Sequence, residues 1–85
     1  MNLSHATPSR YFVVYDQDGW KIQCDGENSE AYARRTDAVR DAVALAHLDE
    51  RNGREADVVV QYEDVFRPQW NSRRDVYPPP LVPDL

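Results

Sequence analysis

Cys24 is the chain's one thiol, and His5 and His47 are its two imidazoles. Nucleophilic or metal chemistry would have to start from these residues. A nucleophilic cysteine needs a lowered pKa and a base within reach. In Trp20-Lys21-Ile22-Gln23-Cys24 apolar and polar residues alternate, which puts Cys24 on the apolar side beside Val13. The expectation is a buried structural thiol, since free cysteine is among the most buried residue types. His47 stands near Asp49 and Glu50, but zinc takes three or four ligands at suitable spacing. His5 lies in a polar leader and Cys24 points inward, so no set assembles. His47, Asp49 and Glu50 fit the wet side of a helix. Asp16-x-Asp18-Gly19 has the start of a calcium loop. The EF-hand spacing, however, needs an oxygen ligand where Val14 stands and a Glu where Asp25 stands. The three glycines are isolated, so no phosphate loop exists, and no Gly-x-Ser-x-Gly or Ser/His/Asp pattern occurs. The expectation is no enzyme, no metal and no cofactor.

The aromatic residues carry more information. Trp20 and Trp70, five tyrosines, Phe12 and Phe66 are many large rings for 85 residues. Such rings fill a core, stack on bases or anchor a protein interface. Trp20 and Tyr15 are expected in the core. Phe12 and Val14 alternate with Tyr11, Val13 and Tyr15, so they fall on the other side of the same strand. With Val59, Phe66 and Trp70 they make the candidate interface. The alternative is a nucleic-acid-binding module that uses Tyr or Phe with Arg34, Arg35, Arg73 and Arg74. A net charge of −5 disfavours it, because phosphate neutralisation supplies most of such affinity. Pro80-Leu81-Val82-Pro83 matches the minimal Pro-x-x-Pro ligand pattern.

Local patterning indicates the elements that must position these residues. Tyr11-Phe12-Val13-Val14-Tyr15 is dense in β-branched and aromatic residues, hence a strand. Asp18-Gly19 signals a two-residue hairpin turn with positive φ at both positions. That turn sets Tyr15 opposite Ile22 and Val13 opposite Cys24. Tyr11, Val13, Tyr15, Trp20, Ile22 and Cys24 then share one apolar surface. After a turn at Asp25-Gly26-Glu27-Asn28, Ser29 to Arg34 is expected as a short third strand with Ala31 and Ala33 inward. Thr36 suits an N-cap and Asp37 the first turn of a helix. Ala38, Val39, Ala42, Val43, Leu45 and Ala46 recur at helical spacing, and Asn52-Gly53 stops the helix. Val58-Val59-Val60-Gln61-Tyr62 is a strand, Glu63-Asp64 a turn, and Val65-Phe66-Arg67 a returning strand. Pro68 confines that last strand to an edge or ends it.

The predicted fold class is α+β. It comprises a β-hairpin, a short strand, one helix and a second β-hairpin, with the helix packed on one face of a mostly antiparallel sheet. The expected organisation is a flexible leader over 1–9, a single domain over 10–70 and a Pro-rich extended or disordered tail over 71–85. A lone cysteine excludes a disulfide scaffold. The absence of an apolar leader segment and of any membrane-spanning run predicts a cytoplasmic protein.

Three stretches carry a family resemblance: Asp18-Gly19-Trp20-Lys21-Ile22, Thr36-Asp37-Ala38-Val39-Arg40-Asp41-Ala42 and Asp57-Val58-Val59-Val60-Gln61-Tyr62-Glu63-Asp64. In type and order they resemble the small bacterial domain-of-unknown-function family DUF2188. That family runs through a strand, a Gly-x-Trp hairpin, a Thr-x-x-Glu-Ala helix, a Val-Val strand and a charged turn. The likeness spans about Tyr11 to Trp70. The chain departs from it at Glu63-Asp64, where the family has a glycine, and in its Pro-rich tail. The resemblance implies a fold and a bacterial setting. It implies no activity, cofactor or site residue.

A small chain whose first strand is apolar on both sides cannot cover both with one helix. The expected function is therefore a non-enzymatic protein-interaction or assembly module, a homodimer or the partner of another protein. A small enzyme with an unrecognised site is the remotest alternative.

Overall fold

The computed structural model describes residues 8–79. His5 and the Pro80-Leu81-Val82-Pro83 motif lie outside the described residues. The elements are β1 (Ser9–Asp16), β2 (Gly19–Cys24), β3 (Glu27–Asn28), α1 (Arg35–Arg51), β4 (Ala56–Tyr62) and β5 (Val65–Asn71). They form a five-stranded sheet in the order β3-β2-β1-β4-β5, with α1 against it. The fold is α+β. Three of the strand pairings are antiparallel, and β1 with β4 is parallel. A parallel pair needs a crossover of a dozen or more residues, which here includes α1.

The first hairpin turns one residue earlier than expected. Gln17 and Asp18 form the loop, and Asp16, Tyr15, Val14 and Val13 pair with Gly19, Trp20, Lys21 and Ile22. Neither Gln17 nor Asp18 has positive φ, whereas Gly19 takes φ 125°. Gly19 is needed there twice over, because a Cβ would sit 2.7 Å from the Tyr32 carbonyl oxygen. Val13 therefore faces Ile22 and not Cys24. The slip is two residues, and side chains alternate with period two, so every residue keeps its predicted face. The next turn, Asp25-Gly26, has positive φ at both positions and joins Cys24 to Glu27. The short third strand is thus Glu27–Asn28. Of Ser29 to Arg34, Tyr32 alone makes a bridge, to Trp20, and Ala31 and Ala33 are exposed.

Helix α1 starts one residue before the expected cap. Its N-cap is Arg34, in extended conformation and without a side-chain cap, and Thr36 lies inside the helix. The stop is as expected. The Gly53 amide donates to Glu50 O and the Arg54 amide to Asp49 O, the paired bonds of a Schellman ending. The helix lays Ala38, Ala42, Val43 and Ala46 on Val13, Ile22, Ala56, Val58 and Val60. These small residues bring the helix close to the sheet. Leu45, expected on this face, is exposed on the flank. Tyr15, expected in the core, is 58% exposed and meets Trp20 edge-on at 5.1 Å.

Strand β5 is an edge, as Pro68 demands, but it continues to Asn71 past a bulge. Val59 pairs with Pro68 while Val58 pairs with Trp70, leaving Gln69 unmatched. Phe66 and Trp70 are four residues apart and would share a face in a regular strand. The bulge reverses that parity. Trp70 therefore turns under the helix and is 1% exposed, which removes it from the candidate interface. Its indole N–H donates to Val76 O at 2.9 Å. Beyond it, Tyr77 stacks on His47 of the helix at 4.1 Å. As far as Tyr77, then, the segment expected as a loose tail makes contacts with the domain.

Candidate interaction face of the sheet

The face opposite the helix is built by alternation along four strands. It carries Phe12 and Val14 from β1, Val59 and Gln61 from β4, and Phe66 and Pro68 from β5. Lys21 and Gln23 of β2 lie across from Val14 and Phe12. Val59 has Phe12 on one side and Pro68 on the other in the pairing register, and it is only 8% exposed. The Phe12 and Phe66 rings meet edge to face at 5.5 Å, a favourable quadrupole arrangement. Phe66 remains 49% exposed, while Phe12 and Val14 are half-buried. Phe12, Val14, Val59 and Phe66 thus lie on one face. Trp70 is not among them. Pro68 was missed as a member, and its signal was there: a proline inside a strand marks an edge or a bulge.

Two charge pairs at the rim are closed within the chain. Arg10 grips Asp57 with two bonds, Nε to Oδ1 at 3.0 Å and Nη2 to Oδ2 at 2.9 Å. Those bonds and the Asp57 charge push the Arg10 pKa up. Lys21 Nζ lies 3.1 Å from Asp16 Oδ2 and 3.5 Å from Asp18 Oδ2. Asp16 also accepts from the Asp18 amide, which is the main cause of its lowered pKa, with Lys21 next. These carboxylates, which resembled the start of a calcium loop, instead close the hairpin turn. The Gln61 amide is used at both ends. It accepts from the Tyr15 N–H and donates to Glu63 O, each at 3.0 Å. The charged groups at this face are taken up in ion pairs, and its centre is apolar. It can hold apolar surface.

The remaining candidates lie elsewhere. Cys24 is half-buried rather than interred. Burial first, and then the Asp25 charge, push its thiol pKa up, away from thiolate chemistry. Tyr11 Oη donates to Asp49 Oδ2 at 2.7 Å and Tyr32 Oη to Asp41 Oδ2 at 2.8 Å. Both tie the helix to the sheet side of the core. His47 Nδ1 is 3.2 Å from Glu50 Oε1. Among the described residues no group of three or more His, Cys, Asp or Glu is placed to hold a metal.

The arginines do not gather. Arg35 lies over the Tyr62 ring at 4.7 Å and the Trp20 ring at 5.8 Å, and Arg67 over Tyr62 at 5.4 Å. They line an open cleft of about 620 Å³ with Gln61, Glu63, Asp64 and Val65. Its rings are already in contact with the protein's own cations, and two carboxylates share the rim. Arg73 and Arg74 sit at the other end of β4, against Glu55 and Asp75, roughly 20 Å away at ~3.3 Å per strand residue. The stacking platform with four convergent arginines is therefore not assembled. No helix among the described residues is long and apolar enough to cross a membrane. Comparisons with family models, with curated proteins and with solved structures return no match, so the likeness to DUF2188 rests on the quoted residues alone.

Proposed function

We propose that this chain is a non-enzymatic protein-interaction module that docks through the face of the sheet opposite its helix. The observation that carries the reading is the contiguous set Phe12, Val14, Val59, Phe66 and Pro68 on a face with no covering element among the described residues. An apolar centre inside a polar rim is the anatomy of a docking surface. Rings such as Phe66, half-exposed beside an aromatic neighbour, are anchors of the kind that dominate binding energy.

The test is a photoreactive phenylalanine analogue placed at position 66 in living cells. Leu48, exposed on the helix, serves as the comparison site. The expected result is a discrete protein adduct from position 66 that is lost when Phe12→Asp is added. Equal labelling at both positions, or none at 66, overturns the proposal.

A further inference from the structure

We infer that the occupant of this face is a second copy of the chain, packed face to face about a two-fold axis. The inference rests on the docking role proposed above and names its partner.

Charge is the first ground. The chain carries a net charge of −5, yet the rim of the face sets Arg10 against Asp57 and Lys21 against Asp16. The face is thus close to neutral, and the negative excess lies on the rest of the surface. A strongly basic partner would be drawn to that acidic surface and away from this face, whereas two copies packed face to face keep their acidic surfaces apart. A second copy meets neutral surface with neutral surface. Two-fold symmetry makes the patch its own complement.

Polar satisfaction is the second ground. Drying a surface is costly where donors or acceptors lose water without replacement. Arg10 and Asp57 hold each other with two bonds, Lys21 holds Asp16, and Gln61 beside the apolar patch has both ends of its amide occupied. Each of these groups keeps a partner within its own chain when the face is covered.

The edges supply the third ground. Two copies could otherwise join by extending the sheet. Strand β5 carries Pro68 and a bulge, and β3 is two residues long. Both are poor templates for an added strand. Extension of the sheet is therefore disfavoured against packing through its face.

The area sets the strength. Four strands about 4.8 Å apart and about six residues long at ~3.3 Å offer roughly 400 Å² of flat surface. A standard interface buries roughly 800 Å² per partner. The dimer is therefore small, of the size of weak or transient contacts, and it needs the rim as well as the apolar centre.

Sedimentation equilibrium of the full chain, from micromolar to millimolar, tests this. The expected result is a reversible monomer–dimer equilibrium. Phe66→Glu should weaken it by about tenfold or more, with an unchanged circular dichroism spectrum. Lys21→Glu makes the rim acidic on both copies, so it should weaken the dimer at low salt and less at high salt. Leu48→Glu, on the helix, should leave it unchanged. A chain that stays monomeric at millimolar concentration overturns the inference, as does a dimer indifferent to both face variants. If the chain is monomeric but position 66 still labels a different polypeptide in cells, the second copy falls and the docking face stands. If neither is seen, both fall.

Discussion

Phe66 and Trp70 are the same kind of residue four positions apart on one strand, and their environments are opposite. Trp70 is sealed beneath the helix, with its indole N–H satisfied by Val76 O. Phe66 is half in water against Phe12. Truncating them therefore separates core from surface. Trp70→Ala removes a large, fully buried ring, and a loss of about 3–5 kcal/mol is expected from the transfer and cavity terms together. In so small a domain that is enough to unfold most of the population. Phe66→Ala should cost about 1 kcal/mol or less in the monomer, because only the partly buried contact is lost. Urea denaturation of both variants, followed by far-UV circular dichroism at low protein concentration, measures the difference. Equal losses would mean that Trp70 is not in the core. Neither fate was legible from residue type. The alternation rule alone places both rings on one face.

At the scale of elements, the helix is held by two tyrosine–aspartate bonds besides its alanine face. Tyr11 of β1 donates to Asp49, and Tyr32 before the helix donates to Asp41. Burial is the first cause and the bonded carboxylate the next, and both tyrosine pKa values are raised. The folded state thus favours the protonated hydroxyls. Their contribution is complete below the unfolded tyrosine pKa of about 10 and is lost as pH rises through the folded values. Stability should therefore decline on the alkaline side of about pH 10, and Tyr11→Phe should flatten that decline while leaving the acid limb unchanged. Denaturant midpoints measured across neutral and alkaline pH decide it, and an unaltered alkaline slope in Tyr11→Phe would refute it. Strands β1, β2 and β4, the helix and its glycine stop were readable because each obeys a local rule, whereas the short third strand was expected one turn too late. Val58-Val59-Val60 and the Ala-rich helix read directly as buried segments. The exact turn at Gln17-Asp18 was not readable. Its position depends on Gly19 fitting against the Tyr32 carbonyl, a contact made thirteen residues away in the sequence.

For the molecule as a whole, one helix covers one face of a five-stranded sheet. A domain this small is marginal when alone, so surface buried against a second copy becomes part of its folding free energy. Under the proposed self-association, the thermal midpoint should rise with protein concentration. The rise should vanish in Phe66→Glu. Calorimetry of both proteins across a concentration series checks this, and a midpoint independent of concentration in the parent chain counts against dimerisation. The C-terminal segment adds a second closure. Tyr77 stacked on His47 fixes residues past β5 over the Trp70 side of the core.

Sequence by itself determined what depends on neighbours in the chain. It set the helix and where it ends, the extended segments β1, β2 and β4, and which residues of the first strand point away from Val13, since alternation survives a register slip of two. The tertiary structure decided what depends on distant contacts. The parallel pairing of β1 with β4, the bulge opposite Val58 and Val59 that turns Trp70 inward, and the closing of Arg10 on Asp57 all join residues far apart in the sequence. Their geometry is set by packing, which no local pattern encodes.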